Sequence, residues 1–248
     1  MKKITDQQLA EKTIILLKES ARLDEAKTQR RFFKSDEKIT ILGLNAAQQQ
    51  SIEKEIYKQV RNIWSLDEAI DFVELLISKP ELEAKLVSTI FLKNYIDDLR
   101  PDIHNRIKKW LISNYCNNWE IVDSLCLSIM APLINKYPGI IPEVLDWASS
   151  PNLWVRRCSI VSLVKLARNG EKLDAVYSII EKLLLDTNNL IQKPNGWLLR
   201  EAGKKDPKRL EQFLLKHSTV IPRVTVRYAI ERFPEKKRKR LLIETKRI

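Results

Sequence analysis

The chain holds only five glycines, two histidines and three cysteines in 248 residues, and it has no apolar run long enough to span a bilayer as one helix. Scarce glycine, with abundant Leu, Ile, Lys and Glu, argues for an all-helical protein. The start, Met1-Lys2-Lys3-Ile4-Thr5-Asp6, lacks the apolar core of a secretory signal, so a cytoplasmic protein with no membrane association is expected. Cys116, Cys126 and Cys158 form no CxxC pair and sit inside helical patterns, where small core residues are the expectation. His104 and His217 are far apart in sequence, which argues against a transition-metal enzyme. No cofactor is expected.

What the chain does have is positive charge, unevenly placed. Residues 1–150 carry 21 Lys and Arg against 22 Asp and Glu, whereas residues 151–248 carry 23 against 10. The whole surplus of the +12 net charge therefore lies in the last two-fifths. Such asymmetry points to a polyanion, nucleic acid before an anionic membrane surface, or to a basic face that serves only solubility.

From Ser65 onward, helical patterns alternate with short breaks marked by Pro80, Pro101, Pro138-Gly139, Pro151, Pro207 and Pro222. The second helices of successive pairs start near Glu81, Asn118, Leu153, Asn189 and Ile221, a spacing in the mid-thirties. That period predicts a HEAT-like solenoid of antiparallel helix pairs with a concave basic groove. An amphipathic helix over about 6–26 would cap it, followed by an irregular stretch from Arg30 to Gly43. The expected organisation is one domain over 1–248, with the cap and irregular segment in 1–43 and stacked pairs in 44–248.

Chemistry-bearing residues gather on the second helices. Trp119 and Asp123 are one turn apart and share a face, beside the inward stripe Val122, Leu125, Cys126 and Ile129. On the helix from Leu153, the stripe Ile160, Leu163, Val164 and Ala167 leaves a flank bearing Trp154, Arg157, Lys165 and Arg168. On the next, Lys193, Trp197, Arg200 and Lys204 recur on one side, and the last carries Arg223 and Arg227. Neighbouring helices would present these side by side, with basic groups tracking phosphates and indoles facing an apolar or cationic partner. Trp64, Trp110 and Trp147 are expected in the core, and the basic run Lys236–Arg240 as a solvated face.

The strings Asn118-Trp119-Glu120-Ile121-Val122-Asp123, Asn152-Leu153-Trp154-Val155-Arg156-Arg157 and Ile191-Gln192-Lys193-Pro194-Asn195-Gly196-Trp197-Leu198-Leu199-Arg200-Glu201 resemble, in order and spacing, the motifs of AlkD-like DNA alkylation repair glycosylases. The resemblance runs from about Phe32 to Leu242. It implies a HEAT-like fold acting on double-stranded DNA with alkylated purines, with no cofactor and as a monomer. It casts Asp123 as the catalytic carboxylate, Trp119 and Trp197 as aromatic walls, and Arg157, Lys165, Arg200 and Arg227 as DNA-backbone contacts. Two departures stand out: Pro194-Asn195 replaces ordinary helical residues and predicts a kink before Trp197, and residues 35–42 lack a Gly-rich acidic segment. The implied reaction is hydrolytic release of a cationic N3- or N7-alkylpurine, with Asp123 ionised near its ordinary pKa. A non-catalytic binder of damaged or branched DNA and a HEAT-like protein scaffold are the alternatives.

Overall fold

In the computed structural model, which describes residues 3–33 and 39–245, every regular element is helical. The one strand-like pairing among the described residues is an isolated parallel bridge between Thr40 and Glu81. Contacts group the chain into two compact units. One runs to Ile103 and includes Ser113–Asn117, and the other comprises His104–Ile112 and the chain from Asn118. No single described helix is long and apolar enough to cross a membrane.

The first unit contains α1 (Asp6–Glu19), α2 (Leu23–Arg30), α3 (Ala46–Val60), α4 (Leu66–Ile77) and α5 (Leu82–Leu92). Thr5, Asn45 and Ser65 start α1, α3 and α4 with capping boxes, each accepting from an N–H three residues on while Gln8, Gln48 or Glu68 reaches back. Helix α5 is buried on almost every side and packs against α1, α3 and α4. Phe91 on it meets Phe72, with ring centroids 4.6 Å apart, and Trp64 closes the cluster. Trp64, Trp110 and Trp147 are all buried, as expected.

The expected cap helix over 6–26 is two helices. Arg22 adopts an extended conformation (φ −126°, ψ 96°), and its N–H donates to the Leu42 carbonyl at 2.7 Å instead of continuing a helix. Gly43 (φ +85°) permits this approach, since a Cβ there would lie 2.2 Å from the Arg22 carbonyl oxygen. The buried Glu83 carboxylate then gathers the N–H groups of Leu42, Gly43 and Leu44. A contact between distant segments overrides the local periodicity. Of the stretch expected to be irregular, residues 34–38 lie outside the described residues.

The second unit begins in α6 (Ile103–Ile112) and continues with α7 (Trp119–Leu125), which passes through a wide π turn at Cys126–Met130 into α8 (Ala131–Lys136). There follow α9 (Ile141–Asp146), α10 (Leu153–Val161), α11 (Val164–Asn169), α12 (Leu173–Lys182), α13 (Asn189–Gly203), α14 (Pro207–Lys216), α15 (Arg223–Ala229) and α16 (Glu235–Glu244). Helices α7, α10, α13 and α15 pack in succession, each against the next. The second helices start within two residues of the expected positions. The helix expected from Leu153 to Arg168 breaks at Ser162-Leu163, so Lys165 and Arg168 belong to the separate α11.

Helices α13 and α15 meet at Gly196. A Cβ there would lie 2.4 Å from Tyr228 Cβ and 2.6 Å from the Thr225 carbonyl oxygen. Only a residue without a side chain fits.

Candidate active site

One residue type starts three of the packed helices. Asn118 Oδ1 accepts from the N–H groups of Glu120 and Ile121, Asn152 Oδ1 from those of Trp154 and Val155, and Asn188 Oδ1 from that of Leu190. Capping fixes Trp119 as the first residue of α7 and Trp154 as the second of α10. Both indoles are half-buried, as is Trp197 in α13.

Asp123 lies one turn into α7 and Arg157 one turn into α10. Arg157 Nε donates to Asp123 Oδ1 at 2.8 Å and Nη2 to Oδ2 at 2.7 Å, a bidentate pair whose side chains are 7% and 15% exposed. Nη1 donates to the Leu190 carbonyl oxygen at 2.7 Å. One guanidinium therefore ties α7, α10 and α13 together. Burial raises the Asp123 carboxyl from its ordinary value and the Arg157 hydrogen bonds oppose that, so the expectation of an unperturbed pKa is corrected.

The structure brings Asp123 and Arg157 together and leaves the other basic residues in different settings. Arg157, expected on an exposed flank, is buried. Arg200 is half-buried, with Nη1 on Glu231 and Nε 3.5 Å from Glu201. Lys165, Lys193 and Arg227 are exposed on α11, α13 and α15. Glu201 is a buried acid that the pattern did not single out, and it gathers Arg168 at 3.1 Å and Lys204 at 2.6 Å. Burial pushes its carboxyl up, but those two hydrogen bonds outweigh it and hold it below the ordinary range. Its position directly after Arg200 was the one available signal.

Behind the pair, Cys126 and Cys158 are free and fully buried, with Sγ atoms 3.3 Å apart. Burial drives the Cys126 thiol well above its usual pKa, in keeping with a packed core position. The site offers a held carboxylate and half-buried indoles on neighbouring helices. Helix α13 continues through Pro194 as one element, Asn189–Gly203.

The fold is similar to that of a solved structure described as "Predicted DNA alkylation repair enzyme from Enterococcus faecalis", with 17% identity, coverage of 87% of this chain and 97% of that one, and a TM-score of 0.76. No curated protein matches the chain. The model of the family described as DNA alkylation repair enzyme matches residues 15–233, and the chain belongs to that family.

Proposed function

We propose that the protein is a DNA glycosylase that hydrolyses the N-glycosidic bond of cationic N3- or N7-alkylated purines in duplex DNA. The observation that carries this reading is the Asp123 carboxylate, held by Arg157 within a row of helices that also bear Trp119, Trp154 and Trp197. Alkylation at N3 or N7 makes the purine cationic, so cleavage releases a neutral base and no general acid is needed. The costly feature is positive charge developing on the deoxyribose. A fixed carboxylate stabilises it, and Arg157 fixes this one. Water adds to C1′, the base departs with the bonding electrons, and the water proton passes to solvent.

Trp119 and Trp197 would flank the damaged nucleotide, each electron-rich indole face contributing on the order of 0.5–2 kcal/mol toward a cationic base. Trp154, Lys165, Lys193 and Arg227 would meet the flanking backbone. Arg200 would do so only by exchanging Glu231 for a phosphate. The HEAT-like solenoid with a concave basic groove, working as a single domain and as a monomer, is part of the same proposal. The successive packing of α7, α10, α13 and α15 and the basic surplus after residue 150 support it. Selectivity then rests on the lesion's own leaving ability rather than on a deep base pocket.

The test is release of 7-methylguanine or 3-methyladenine from methylated duplex by the purified protein. Release by wild type and its loss in Asp123→Asn is the expected result. Tight, salt-sensitive duplex binding without release would replace this reading with that of a non-catalytic DNA binder.

A further inference from the structure

Pro194 stands inside α13 and has no N–H. In an α-helix the N–H of residue 194 would donate to the carbonyl of Leu190, four residues back. That carbonyl is therefore spared its intrahelical bond, and Arg157 Nη1 donates to it at 2.7 Å from α10. The guanidinium is a rigid planar fork. Anchoring Nη1 sets the plane in which Nε and Nη2 meet Asp123 at 2.8 and 2.7 Å. We propose that Pro194 is a positioning residue for Asp123: by withholding one N–H it reserves the Leu190 carbonyl for Arg157, which holds the carboxylate in place.

Neighbouring side chains support the helix around the missing donor. Thr225 Oγ1 donates to the Gln192 carbonyl at 2.9 Å, and Asn195 Nδ2 donates to the Leu183 carbonyl at 3.3 Å. A proline in a helix interior is otherwise strongly unfavourable. Here its defect matches a donor arriving from the next helix. A relayed effect on the rate of base release rests on the role given to Asp123 above; the relay itself does not.

The decisive variant is Pro194→Ala, which returns an N–H to compete for the Leu190 carbonyl. Alanine is the better helix former, so the melting temperature should hold or rise. The carboxyl carbon of Asp123, assigned with Asp123→Asn and followed by NMR in the DNA-free protein, should titrate at higher pH, because a less constrained Arg157 opposes burial less well. Single-turnover release of 7-methylguanine from methylated duplex should slow about tenfold, the scale of one hydrogen bond to a charged group. Lactic acid in place of residue 194 removes the N–H without the proline ring and should restore both readouts. An unchanged Asp123 titration in Pro194→Ala would overturn the relay, as would failure of the ester to restore it. If the titration shifts while wild type releases no base, the relay stands and the catalytic role of Asp123 falls.

Discussion

Arg157 closes on Asp123 with two hydrogen bonds from a side chain that is only 7% exposed, so the pair behaves as a unit of the interior. Removing one partner strands the other charge. Arg157→Ala should therefore destabilise the protein by about 3–5 kcal/mol in chemical denaturation. A double-mutant cycle with Asp123→Asn should show coupling of about 1–3 kcal/mol. Additive effects would mean the two groups act independently.

Catalysis and binding should separate at Asp123. Asp123→Asn is expected to slow excision of cationic alkylpurines by roughly 10²–10³-fold, while affinity for an abasic-site duplex holds or tightens as a negative charge leaves. Because burial raises the Asp123 carboxyl from 3.8, the wild-type rate should fall as acid protonates it, at a pH above that value. Single-turnover rates across the acid range, beside a thermal melt at each pH, check both points.

Lys193 and Arg227 are exposed on adjacent packed helices. Charge reversal at both should weaken duplex binding and flatten its salt dependence by about one counterion per lost contact, with the fold intact. A titration over several salt concentrations decides this. An unchanged slope would move the DNA surface elsewhere.

Gly196→Ala tests the seat of α15 on α13. The new methyl would meet Tyr228 Cβ at 2.4 Å and the Thr225 carbonyl at 2.6 Å, and the backbone has to yield. A loss of about 1–3 kcal/mol in denaturant unfolding is expected.

Tyr95 and Tyr177 are buried with hydroxyl groups that find no hydrogen-bond partner among the described residues, and burial raises each pKa from 10.0 to about 12. The unfolded chain ionises them first as pH rises. Stability present below the unfolded value is therefore lost between 10.0 and about 12. Tyr95→Phe and Tyr177→Phe should remove that part of the alkaline loss and gain about 1 kcal/mol near neutrality. Urea unfolding of each variant beside wild type, at neutral and alkaline pH, checks the sign.

Much of the fold was legible because helix starts are local chemistry. Asn118, Asn152 and Asn188 satisfy orphan N–H groups within three residues, so the caps and the stripes after them write the helix positions into neighbouring letters. The same locality put Trp119 on one face with Asp123, and the ordered strings around them pointed to the family. Tertiary structure alone decided what those residues meet. Arg157 looked like a solvent-facing cation because helical spacing reports a flank, not the distance to the next helix; its partners, Asp123 and the Leu190 carbonyl, lie 34 and 33 residues away. The break at Arg22 depends on Leu42 and Gly43. Pro194 read as a defect because its missing N–H is local, whereas the guanidinium that uses the freed carbonyl arrives from α10. A hydrogen bond between helices costs no regularity in either sequence, so only the packed chain reveals it.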